Sequence, residues 1–258
     1  MSGTVTIAGL ATAVLLVLVA AAVSRWQGLR LEGAIVWSAA RATAQLAAVG
    51  GVLVLLVREA TPLWWSWVWV AVMVAYAGTV ARRRAPEVPW IGRLTVASFA
   101  VAGLVSMGVL FGLGVLPAQG RTVVPLAGMM IGNSMTATVL VARRIVDELR
   151  DKREEVEARL ALGLPSTAAS APAVRAALAA ALTPQIESTK ATGLVFLPGA
   201  MTGLILAGAS PLAAVQLQAV VMFLVLGTVA VTTTVLAKGV SRLMFTPDHR
   251  LRPIPERP

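Results

Sequence analysis

Apolar residues in this chain fall into long runs, broken by short charged or proline-bearing stretches. A run of about 20 apolar residues is the length that crosses the hydrocarbon core of a bilayer as a helix. The first run covers residues 4–23 and ends at Ser24, Arg25 and Trp26, which reads as a retained span with its basic end inside. A second covers 33–57. A third covers 63–80 and opens with Trp64, Trp65, Trp67 and Trp69, an interfacial belt. The basic loop holding Arg82, Arg83, Arg84, Pro86, Glu87 and Pro89 separates it from a fourth run at 94–116, and a fifth follows at 123–142. Apolar character resumes at 192–209 and again at 212–237, so the pattern predicts seven spans. The tail 238–258 is basic and proline-punctuated, hence frayed or lying at the surface.

Composition agrees with this pattern. Of 258 residues, 57% are hydrophobic and only 13% charged, about half the charged share of a soluble domain. The reading is an all-α polytopic membrane protein forming one domain over 1–258. No cysteine is present, so disulfides, thiolate catalysis and cysteine-held metal are excluded. A single histidine, His249 in the tail, is too little for a histidine-ligated catalytic zinc site or a Ser-His-Asp triad. The net charge of +10 is explained by position and not by nucleic acid. With seven spans and an outside N-terminus, 19 of the 22 Lys and Arg residues fall inside, while Arg58 and Arg121 fall outside and Arg41 lies within a span. That bias predicts an outside N-terminus and an inside C-terminus.

The one sizeable section between spans, 143–190, reads as a cytoplasmic helical segment. Glu148 with Lys152 and Glu155 with Arg159 are four apart, so the fifth span continues as a solvated helix. Gly163, Leu164 and Pro165 end it. Beyond them, Val174, Leu178 and Leu182 share one face of a helix suited to a partner or to the membrane surface.

Polar and irregular positions inside the apolar runs are the candidates for function, because burial there demands partners. Arg41 and Gln45 share a helix face; they either line a cavity or let Arg41 snorkel while Gln45 joins helices. Residues 128–137 combine Gly128 and Gly132 at small-xxx-small spacing with Asn133, Ser134 and Thr136. Met129, Met130 and Met135 in the same stretch offer thioether ligands or flexible packing. In the sixth run Pro198 and Gly199 interrupt the helix beside Met201 and Thr202, as a substrate gate or as a structural kink. No GxxxxGK[ST] phosphate loop and no carboxylate pair in an apolar setting occurs, so the chain reads as no enzyme, and energy from ATP would need another chain.

Residues 128–137, 193–203 and 218–223 together resemble the diagnostic stretches of the FetB/YbbM-type family of ABC transporter permeases, whose bacterial members are associated with iron export. The likeness covers nearly the whole chain and is strongest over 125–227. It implies a permease in the bacterial inner membrane that exports iron or another metal ion. It also implies a homodimer with two copies of a cytoplasmic ABC ATPase; ATP and Mg would sit on that partner and no cofactor on this chain. The run from Glu157 and Ala158 to Gly163 and Leu164 is similar to the coupling signature of ABC importer permeases, which implies contact with the ATPase. Arg41, Gln45, Met129, Met130, Asn133, Met135, Thr136, Pro198, Met201 and Thr202 would then border the pathway. Leu204, Ala200, Leu217 and Glu187 depart from the family pattern and thin the polar and thioether lining. The rival functional classes are an energy-independent channel or secondary carrier for a small solute, and a membrane assembly subunit that moves nothing.

Overall fold

A computed structural model describes residues 7–56, 61–194 and 197–254, and every helix or strand run among them is helical. Two compact units divide at Pro62. In the first, α1 (Ile7–Trp26) and α2 (Glu32–Leu56) form an antiparallel hairpin. Its turn is closed by Ser24, whose buried hydroxyl oxygen accepts from the Leu31 N–H at 3.1 Å.

The second unit holds α3 (Leu63–Arg84), α4 (Ile91–Gly112), α5 (Gly120–Asp151), α6 (Arg153–Ala161), α7 (Ser166–Ala169), α8 (Ala171–Ala191), α9 (Gly199–Leu206) and α10 (Pro211–Leu243). Among the described residues only α3, α4, α5 and α10 are long and apolar enough to cross a membrane, which corrects the expected seven spans to four. The argument from an odd span count to opposite sides for the two termini falls with it.

Each lost span has a local cause. The apolar part of α1 that is described, Ala11–Trp26, is short of a crossing, and part of the predicted run lies outside the described residues. The predicted run 33–57 carries Arg41 and Gln45 and reaches at its apolar end beyond the described residues. The sixth run is not one helix: Gly193 at φ +91 ends α8's extension, Pro198 opens α9, and Gly208 at φ +94 turns the chain again. The eight residues of α9 rise about 12 Å against a core of about 30 Å.

α5 and α10 run the other way, with 32 and 33 residues, about 48–50 Å each, so both outreach the hydrocarbon. Pro211 at the first helical position and the Ser210 hydroxyl, which accepts from Ala213 N–H at 3.3 Å, start α10 cleanly. The tail does not fray at once. Helix α10 continues to Leu243, Phe245 pairs with Leu251, and Arg252 N–H donates to the Met244 carbonyl at 2.9 Å.

Apolar burial gains little between helices in lipid, so close approach and hydroxyl pairs hold this bundle. Helices α3 and α4 touch backbone to backbone: a Cβ on Gly78 would lie 3.0 Å from the Gly92 carbonyl oxygen. Gly239 of α10 receives the Leu94 side chain of α4, which leaves no room for a Cβ at that position. Thr228 Oγ1 in α10 stands 2.9 Å from Ser106 Oγ in α4 and 2.7 Å from the Leu224 carbonyl. Where the bundle leaves the apolar zone, water restores the hydrophobic drive, and Ile145, Leu149, Val156 and Val240 are fully buried.

Helix α8 also departs from expectation. It is not a surface helix resting on Val174, Leu178 and Leu182; it packs into the bundle against α5 and α10. Its closest face is Ala173, Ala177 and Ala181, all buried, with the three larger residues flanking the core half-buried. Alanines four apart permit that approach. A buried hydroxyl contact, Ser170 Oγ to Ser241 Oγ at 2.8 Å, fixes the start of α8 to the end of α10.

Candidate functional site

Helix α5 has two unlike faces. Inward it sets Met130, Ser134, Ala137, Thr138 and Val141 into the core. Outward, Gly132, Asn133, Thr136 and Leu140 are exposed, with Pro125 one end of the same stripe. Asn133 Nδ2 donates to the Met129 carbonyl one turn back at 2.8 Å, so its Oδ1 remains on the open face. No atom lies within 4 Å of a Cβ built on Gly132, which leaves a notch beside Asn133.

The predicted thioethers separate accordingly. Met130 is buried, bordering a cavity of about 30 Å³ with Phe99, Met107 and Thr228. Met129 and Met135 are half-buried at the core's edge. Met201 and Thr202 are half-buried on α9, which packs against α10 and not substantially against α5. Thr202 Oγ1 donates to the Gly199 carbonyl at 3.0 Å, and Pro198 serves as the N-cap of α9. Arg41 and Gln45 are exposed on α2, in the other unit. Thus the α5 stretch gathers Met129, Asn133 and Thr136, while the α9 trio stands apart from them. Among the described residues no group of three or more His, Asp or Glu is placed to hold a metal ion.

Hydroxyls and amides deeper in the bundle add positions that the sequence reading passed over or ranked low. Ser134 Oγ, Thr95 Oγ1 and Gln218 Oε1 are buried with no hydrogen-bond partner. The Ser106–Thr228 contact was foreshadowed only by hydroxyl residues standing inside apolar runs.

The charged end of α5 continues the helix past Ala142. Glu148 is buried there between Arg144 (3.0 Å) and Lys152 (2.8 Å). Hydrogen bonding to Lys152 holds the Glu148 carboxyl below its usual range, against the opposing effect of burial, and holds the Lys152 ammonium above its own. After Lys152 the chain bends into α6, where Arg153 Nε donates to Glu157 Oε1 at 2.6 Å and Arg159 pairs with Glu155. Gly163, at φ +83, closes α6 in a Schellman turn: its N–H donates to the Leu160 carbonyl (2.9 Å) and that of Leu164 to Arg159 (3.2 Å). Arg159 also donates to the Ala169 carbonyl at 3.3 Å and so ties α6 to α7. Glu157, Ala158, Gly163 and Leu164 are all exposed, and Leu162 is 82% exposed. The result is a charged helical arm that exposes an apolar knob.

Residues 7–245 match the family described as Uncharacterised protein family UPF0014. The UPF0014 membrane protein STAR2 of Oryza sativa subsp. japonica is 41% identical over 86% of this chain and 77% of its own length. Protein ALUMINUM SENSITIVE 3 of Arabidopsis thaliana is 38% identical over 86% of this chain and 81% of its own length. The Probable iron export permease protein FetB of Escherichia coli (strain K12) is 32% identical over 97% of this chain and 96% of its own. No solved structure matches the chain. The likeness read from residues 128–137, 193–203 and 218–223 therefore holds across the length of the polypeptide, and the chain belongs to the UPF0014 family of multi-pass membrane proteins.

Proposed function

We propose that this chain is the membrane subunit of an ATP-driven exporter of metal ions, iron foremost, in a bacterial inner membrane, and not itself an enzyme. The observation that carries the reading is the continuity of α5. One helix joins the open polar stripe around Asn133 to the charged extension, and α6 with its Gly163 turn follows after a single bend. A stiff helix transmits displacement between its ends, as a coupling element must.

Asn133 and Thr136 would cost free energy facing lipid, since amide and hydroxyl groups find no partner there. A second copy of the chain, with a pathway between the two stripes, satisfies them. Pro198, Met201 and Thr202 supply a broken helix of the sort that gates such pathways, and Met130 can reach the lining only if α5 rotates. Two ATPase subunits, carrying the ATP and Mg, would meet the bundle at Glu157, Ala158, Leu162, Gly163 and Leu164. The name of the Escherichia coli relative supports iron as cargo.

The test is ATP-dependent flux in proteoliposomes holding the chain and its cognate ATPase, screened across metal ions. Glu157→Ala with Leu162→Ala, both at exposed positions, is expected to leave both proteins folded while separating ATP hydrolysis from transport. Flux that persists without the ATPase, or coupling that survives both substitutions, refutes the proposal.

A further inference from the structure

A cluster of uncompensated charge lies at the α3–α4 crossing. Arg82, Arg83 and Arg84 end α3 and Arg93 lies in the first turn of α4, so four guanidinium groups share one end of the hairpin. Among the described residues none of the four is within ion-pair distance of a carboxylate. The acid of the connecting loop, Glu87, is directed instead to Arg143 at 3.8 Å.

A cavity of about 860 Å³ opens beside them, with Ala75, Thr79, Val96 and Ala97 as walls and the Gly78–Gly92 contact as floor. A Cβ on Gly92 would lie 3.6 Å from the Arg82 Cβ, so Arg82 stands over the residue that precedes Arg93, and both arginines line the same groove. Trp90, 63% exposed in a left-handed turn (φ +58), stacks under the Arg93 guanidinium at 4.5 Å and fixes its direction. Both helices are of membrane-crossing type, which puts a cationic mouth at the headgroup level and an apolar trough beneath it.

We propose that this groove holds an anionic phospholipid, with its phosphate between Arg82 and Arg93 and one acyl chain along Val96 and Ala97. The two guanidinium forks match phosphate oxygens, and below them the trough is mostly small and branched apolar side chains suited to a hydrocarbon chain, with the Thr79 hydroxyl turned to its own helix at the Tyr76 carbonyl. This goes beyond the transport reading and does not depend on it.

The experiment uses the purified full-length chain with phosphatidylglycerol and phosphatidylcholine. Native mass spectrometry should show the anionic lipid retained in preference to the zwitterionic one. Arg82→Gln with Arg93→Gln should weaken retention roughly 30-fold, from about one interfacial charge interaction lost per arginine. Arg83→Gln with Arg84→Gln removes the same charge away from the cavity mouth and should weaken it only a few-fold by comparison with that value. A photoreactive phosphatidylglycerol on the unmutated protein should label the peptide containing Val96 and Ala97, which keeps the test valid should a variant misfold. Equal retention of both lipids, equal loss in the two double variants, or labelling confined to other helices overturns the proposal. Full displacement of the lipid by inorganic phosphate would also overturn it, by assigning the arginines to a free anion.

Discussion

Gly78→Ala tests the packing argument most directly. The added methyl would lie 2.8 Å from Val96 Cγ2 and 3.0 Å from the Gly92 carbonyl oxygen. Carbon atoms rest at about 3.5–4.0 Å, so the valine contact is roughly 0.7 Å or more too short, and Val96 is β-branched and has few rotamers to escape into. The carbonyl belongs to the α4 backbone and cannot yield without moving the helix. Such overpacking costs about 1–3 kcal/mol, partly offset by about 1 kcal/mol of helix propensity gained on replacing glycine. Gly108→Ala isolates the second effect, because it lies in α4 with nothing within 4 Å of the new methyl. The difference between the two variants should therefore be about 1–3 kcal/mol, with Gly78→Ala the weaker protein, read as unfolding midpoints in mixed micelles of increasing SDS. Adding Val96→Ala to Gly78→Ala should recover roughly half of the deficit, since only the carbonyl contact would remain. If Gly78→Ala and Gly108→Ala unfold together, the α3–α4 contact is not close-packed and the floor of the proposed lipid groove is misdrawn.

Further outcomes follow from the buried polar contacts. A double-mutant cycle of Ser106→Ala and Thr228→Val should give a coupling of about 0.6 kcal/mol in the same unfolding assay, small because each hydroxyl can turn to its own helix; a zero or repulsive value removes the pair as a link between α4 and α10. Glu148 titrates below its ordinary 4.5 in the fold, so its contribution is complete above that pH and is lost as pH falls through the lowered value. Thermal midpoints of the native chain should accordingly drop with acidification below the usual carboxylate range, and Glu148→Gln should flatten that limb; parallel acid curves would refute the assignment. Gly163→Ala should loosen the end of α6 by about 1 kcal/mol, the usual strain of a side chain at positive φ, visible as faster amide exchange over the neighbouring turn.

The sequence alone determined that this polypeptide is helical and lies in a membrane, because runs of apolar residues flanked by arginines have few other stable solutions. In the charged stretch Glu148 with Lys152 and Glu155 with Arg159 do pair at helical spacing and a glycine does end the segment, but the single helix expected there breaks at Lys152 into α5 and α6. These are local properties, fixed within one or two turns.

Span count was not local. Counting apolar residues could not tell a crossing helix from a run cut by Gly193, Pro198 and Gly208, since apolarity survives the breaks that destroy length. The same limit applied to α8, whose larger residues suggested a surface face while its alanines made the close contact that took it into the bundle. Tertiary structure likewise decided which of the stretch 128–137 faces outward, turning Asn133 and Thr136 to the open side and Met130 into the core. It alone revealed that Arg82 and Arg93, 11 positions apart in the chain, line one groove. Proximity of that kind depends on two helices approaching at Gly78 and Gly92, and hydrophobic patterning carries no record of where helices touch.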